Sequence, residues 1–98
     1  MSMPRVILIG GAPLTGKTTV AVRLASRLGY ACISTDDIGT ALTAITTPQT
    51  HPDLHPESGQ PYREYLVRRS VADLVGDLDR HHRAMWPAVI KIAAGHAA

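Results

Sequence analysis

Val6-Ile7-Leu8-Ile9 is a continuous apolar run, led in by Pro4 and Arg5 and closed by Gly10-Gly11. Apolar residues without alternation predict a strand buried on both faces, as in a parallel sheet. After a glycine-rich turn the period changes. Val20, Ala21, Leu24, Ala25 and Leu28 recur at helical spacing, with Arg23 and Arg27 on the other face, which predicts a helix over residues 17–28. Gly29 is its expected stop. Tyr30-Ala31-Cys32-Ile33 predicts a short second strand, and Asp36 or Asp37 an N-cap for a helix running to about Ile45.

Residues 46–61 hold four prolines, two histidines and a Ser-Gly pair, the composition of a surface loop. Residues 62–83 return to a helical pattern. Leu66 or Val67, Val71, Leu74, Val75 and Leu78 make the apolar stripe, and Arg68, Arg69, Asp73, Asp77 and Arg80 fall mostly elsewhere. Pro87 is expected to start a new helix or to kink the old one, followed by Val89, Ile90, Ile92 and Ala93. The expected organisation is one domain with three parts: a strand-turn-helix-strand unit over 1–45, a loop over 46–61 and a helical segment over 62–94.

Composition narrows the class without naming a function. A chain of 98 residues is 45% hydrophobic and 18% charged, in the ordinary range for soluble globular proteins. The net charge of +2 comes from scattered basic residues, so nucleic-acid binding is not expected. One cysteine, Cys32, precludes an internal disulfide and suits a reducing cytoplasm. No apolar stretch near the N-terminus is long enough for a membrane span. A cytoplasmic protein without a membrane anchor is the expectation. The four aromatic residues include no phenylalanine, so the core must be built from Leu, Val, Ile and Ala, with Met85 and Trp86 as further core candidates.

Chemistry is concentrated in the turn. Gly11-Ala12-Pro13-Leu14-Thr15-Gly16-Lys17-Thr18 fits the phosphate-loop pattern G-x-x-x-x-G-K-[ST] at every fixed position, with a strand expected before it and a helix after it. Gly11 and Gly16 permit backbone angles that a Cβ disfavours, so the loop can turn its amides inward as a nest for phosphate oxygens. The positive end of the following helix adds to that attraction. Lys17 brings an ammonium to the β- and γ-phosphates, Thr18 a hydroxyl to Mg²⁺, and Thr19 completes the binding segment. ATP or GTP with Mg²⁺ is the expected ligand.

Ser34-Thr35-Asp36-Asp37 follows the second expected strand. Ligands of open parallel sheets bind at the carboxyl ends of strands, which would bring these carboxylates to the phosphate-loop edge. There Asp36 can take a proton from an attacking hydroxyl or help hold Mg²⁺; a helix N-cap is the alternative, and for Asp37 the preferred one.

With these residues in place, the segment GGAPLTGKTT, the helix A-x-R-L-A-x-R-L-G and the stretch ISTDDI together resemble the small P-loop kinases that phosphorylate metabolites or polynucleotide ends. The likeness is greatest to 2-phosphoglycerate kinase-like and related AAA-type ATP-binding proteins, and it covers residues 6–38, about a third of the chain. The resemblance implies a three-layer α/β fold with a parallel sheet in which a third strand lies between the first two. The first two strands and their helices are recognisable here, so a truncated version of that fold is expected, with limited stability and activity on its own. The resemblance also implies ATP-dependent phosphotransfer to a small anionic or hydroxylated metabolite. Lys17 and Asp36 would be catalytic, and Thr18 and Asp36 would serve the metal. Members of the group often carry an arginine three residues after that aspartate; here the position is Gly39. A nucleotide-binding module without transferase activity is the alternative function, and a remnant that binds nothing tightly is a third.

Other features read as structural. His51 and His55 have an H-x-x-x-H spacing, but Pro52 and Pro56 break any helix there, so a flexible loop is expected rather than a zinc site. His81-His82-Arg83 is read as positive charge near a helix end. Arg68 and Arg69 suit either an anionic substrate or a solvated face. Cys32 is expected inside a strand.

Overall fold

The computed structural model describes residues 3–12 and 14–98. Four helices carry its structure: α1 (Lys17–Leu28), α2 (Thr35–Ala44), α3 (Tyr62–Arg68) and α4 (Val71–Ala97), with a single 3₁₀ turn at Pro52–Leu54.

The expected parallel sheet is absent. Among the described residues neither 5–9 nor 30–33 forms a strand, so the α/β, three-layer reading is corrected to an all-helical arrangement with two irregular apolar segments. The reason lies in what a strand requires. A run of β-branched residues becomes a strand only when its backbone groups find a ladder partner, and that partner is non-local. Here the two segments line the same cleft, and Val6, Ile7, Leu8 and Ile9 remain 37–69% exposed. What joins the segments is a side-chain contact, the Tyr30 hydroxyl donating to the Pro4 carbonyl. Cys32, expected inside a strand, is exposed.

The helices follow local signals. α1 stops at Gly29, whose φ of 71° is left-handed and whose N–H reaches the Ala25 carbonyl, as a glycine cap should. The cap of α2 is Ser34, not Asp36 or Asp37: its hydroxyl accepts from the Asp36 amide at 3.2 Å. Both aspartates fall in the first turn instead, where the helix dipole favours them. The helical stretch expected over 62–83 is two helices. Arg69 leaves helical geometry, and Ser70 caps α4 by accepting from the Asp73 amide at 3.1 Å. Pro87 neither ends α4 nor starts a new helix. It lies inside α4, where the helical bond to the Arg83 carbonyl has no N–H to donate it.

The core is small and lies where α2, α4 and the 3₁₀ turn meet. Leu54, Met85 and Val89 are buried, with Ile38 and Leu42 packed against them. Trp86, expected in the core beside Met85, is 46% exposed, and most of the stripe expected on α3 and α4 faces solvent. A second anchor is polar. Tyr65 donates to Asp77 Oδ2 at 2.7 Å, and Arg69 and Arg80 pair with the same carboxylate. Arg69 therefore braces the α3–α4 corner. His81, His82 and Arg83 sit in the middle of α4 rather than near its end, and Arg83 pairs with Asp79 at 3.0 Å.

Candidate phosphate-binding site

The turn before α1 holds two glycines at positive φ, Gly11 at 157° and Gly16 at 85°. Gly16 caps α1 in the left-handed region, with φ 85°, and supplies no side chain to the helix end. No acidic residue stands in the first turn of α1, so the positive end of the helix dipole is not neutralised there. A Cβ on Gly11 would come within 3.3 Å of Thr15 Oγ1, tight enough to push that side chain. Thr15 in turn donates to the Ala12 carbonyl at 2.7 Å and holds the turn closed. Leu14 adopts a left-handed φ of 64° and is fully exposed, a conformation that costs about 1–2 kcal/mol for a residue with a Cβ. Pro13, expected in this loop, lies outside the described residues.

Lys17 folds back over the turn and donates from Nζ to the Gly11 carbonyl at 2.9 Å. An ammonium has three protons, so this bond orients the charge and leaves donors for an anion. Lys17, Thr18 and Asp36 line one cleft of about 420 Å³, together with Gly10. The carboxylate expected beside the phosphate loop is therefore in the same cleft without a sheet to carry it: α2 begins at Thr35, directly after the second apolar segment. Gly11, Ala12, Leu14, Thr15, Gly16 and Thr19 shape the turn and the start of α1 but are not walls of that cleft.

Trp86 and Val89 of α4 also line the cleft, and sequence reasoning missed both. Helical periodicity shows which residues share a face of α4; it does not show where that face crosses the N-terminal segments. His51 and His55 do not converge on a metal site: His55 Nε2 is hydrogen-bonded to Thr46 Oγ1 at 2.7 Å and His51 Nδ1 to Thr50 Oγ1 at 3.0 Å. Among the described residues no group of three or more His, Cys, Asp or Glu side chains is arranged to hold a metal by protein ligands alone.

The family model described as isopentenyl transferase matches residues 4–97, nearly the whole chain. The chain belongs to the isopentenyl transferase family. This family member is also similar to two curated proteins. One is a 2-phosphoglycerate kinase of Pyrococcus horikoshii, 40% identical over 65 residues, which make up 65% of this chain and 22% of that protein. The other is a 2-phosphoglycerate kinase of Pyrococcus furiosus, 37% identical over the same share of each. No solved structure matches. The chain thus spans about a fifth of the length of these relatives. Both comparisons agree with the P-loop kinase-like character read from residues 6–38. No helix among the described residues is long and apolar enough to cross a membrane.

Proposed function

We propose that this isopentenyl transferase family member binds ATP with Mg²⁺ at the turn before α1 and serves phosphotransfer to a small hydroxylated metabolite. The observation that carries the reading is the convergence of Lys17, Thr18 and Asp36 on one cleft at a helix N-terminus that no side chain caps. The two kinase relatives support it.

The donor set fits a nucleotide-bound Mg²⁺: a hydroxyl and a carboxylate are hard oxygen ligands, and Mg²⁺ is commonly held by one or two protein oxygens plus substrate phosphates. Thr18 and Asp36 would hold it, and its chemistry there is to neutralise phosphate charge. Glycine backbone and the α1 amides receive the β- and γ-phosphates. Lys17 moves from the Gly11 carbonyl to the phosphate oxygens and offsets charge on the transferring group. Asp36 accepts the proton of the acceptor hydroxyl. The acceptor oxygen bonds to the γ-phosphorus as the bond to the β–γ bridging oxygen breaks, and ADP leaves. Positioning and electrostatics supply most of the rate in such transfers.

Titration with a non-hydrolysable ATP analogue and Mg²⁺ tests the binding step. Lys17→Ala is expected to weaken binding by about tenfold or more, the worth of one charge-assisted contact. Equal affinity of wild type and variant overturns the site. Loss of labelled γ-phosphate transfer in Asp36→Asn, with analogue binding retained, is the expected signature of the base.

The family match favours a second reading, transfer of an isopentenyl group. A diphosphate leaving group would use the same cradle. In that reaction an acceptor nucleophile bonds to the allylic carbon as its C–O bond to diphosphate breaks, so incubation with dimethylallyl diphosphate and an amine acceptor would release pyrophosphate, whereas phosphotransfer releases ADP.

A further inference from the structure

A second cavity, of about 720 Å³, shares Thr35 and Asp36 with the phosphate-side cleft and runs between α2, the 3₁₀ turn, α3 and α4. Its position answers a requirement of group transfer: donor and acceptor must meet at the residue that takes the proton, and Asp36 belongs to both spaces. From this geometry we infer that the second cavity receives the acceptor, and that the acceptor is an uncharged polyol rather than a phosphorylated anion. The inference rests on the phosphotransferase reading and names its substrate class.

The chemistry of the walls decides the class. Asp36 and Glu57 are the carboxylates that line the cavity, and no lysine or arginine is among the described residues that line it. Arg69 and Arg80 are tied to Asp77. Phosphate recognition calls for cationic forks or ammonium groups, and an anionic acceptor here would meet two like charges. Hydroxyl groups suit the same walls well. They donate to Asp36, Glu57 and the Gln60 carbonyl, and they accept from Thr40 and the histidines. Thr43 already donates to the Thr40 carbonyl at 2.9 Å, which leaves its oxygen free to accept. Leu54, Leu78 and Met85 give the carbon face of a polyol an apolar floor. The His81 and His82 rings add neutral polar groups to the same walls.

Two-dimensional NMR of the full chain, following backbone amides and histidine side chains, tests the inference. D-glucose, D-ribose and myo-inositol are the uncharged probes, and 2-phosphoglycerate is the anionic one. At least one polyol is expected to shift Thr40, Thr43, His81 and His82 saturably, and 2-phosphoglycerate to bind there at least about tenfold more weakly, as expected where charges are unpaired. Glu57→Lys, on the loop and partly exposed, is expected to reverse that preference. Silence of these residues toward all three polyols, or tighter binding of 2-phosphoglycerate to the unaltered protein, overturns the inference. The same spectra keep the two claims apart. The Mg²⁺ complex of the ATP analogue is read at Gly16, Lys17 and Thr18. Silence there sinks the nucleotide site alone, and silence of the second cavity sinks the acceptor assignment alone.

Discussion

Gly39 is the buried residue of α2, and the reason is its neighbour. An added Cβ would lie 3.8 Å from His81 Nε2 and 3.9 Å from the Met85 methyl, an ordinary contact distance with little room beyond it. The arginine that the kinase resemblance led one to expect at this position has no space between α2 and α4. Two substitutions follow with opposite signs. Gly39→Ala relieves the helix of a glycine and is expected to stabilise the protein by about 0.5–1 kcal/mol. Gly39→Arg is expected to destabilise it by roughly 1–3 kcal/mol through overpacking. Urea unfolding of both variants checks the pair, and equal stabilities would contradict the close approach. Leu54 makes the complementary case. At 4% exposure it is a core residue within a stretch read as a surface loop, because its burial comes from a 3₁₀ turn docking on α4, and nothing in a proline-rich segment signals that. Leu54→Ala is expected to cost about 2–3 kcal/mol, the lower part of the range for buried leucines, since the cluster around it is small.

Elements whose cause is local were legible in the sequence; those whose cause is a distant partner were not. α1 runs over the residues its apolar spacing marks, and Gly29 ends it. α2 likewise ends at the Ile45 boundary. The break at Arg69-Ser70 was missed because the apolar pattern continues across it, although Ser70 followed by Asp73 is a readable cap signal. Ser70→Ala tests that cap, with an expected loss of about 1 kcal/mol and a lower Tm in a thermal melt. The two apolar segments failed as strands for the opposite reason. Val6 to Ile9 has every local property of a buried strand and no ladder to join. The candidate site stood between these cases. The loop motif named Lys17 and Thr18, and Asp36 reached the same cleft through the start of α2. The walls from α4 depend on tertiary crossing and left no sequence trace.

The whole molecule is extended for its length. Its radius of gyration is 15.8 Å, with extents of 49 × 28 × 20 Å, against about 13 Å for a compact domain of similar size. α1 buries no residue, and the apolar segments beside it are open to solvent. Cohesion therefore leans on the small core and on the Tyr65–Asp77 anchor, which gives stability a definite pH window. Burial, reinforced by the bond to Asp77, pushes the Tyr65 hydroxyl up to about 12. The Tyr65 hydrogen bond, opposed by burial and aided by Arg69 and Arg80, holds the Asp77 carboxyl below its ordinary value. A raised tyrosine contributes stability that is fully present below its unfolded value near ~10 and is lost as pH climbs through the folded one. A depressed aspartate contributes above its unfolded value near ~4 and loses that contribution as pH falls through the folded one. Denaturant midpoints are expected to be flat between these limits, to fall from pH ~10 to ~12, and to fall again below pH ~4. Tyr65→Phe should abolish the alkaline decline; persistence of that decline in the variant would place its origin elsewhere.

Trp86 brings an optical consequence. It is the one indole in the sequence, half open to water, and it shares the cleft with Lys17 and Asp36. Excitation near the red edge of protein absorption therefore addresses a single chromophore, seated beside the place where triphosphate is proposed to lodge. Its emission colour and its accessibility to iodide or acrylamide report on filling of that space without any label.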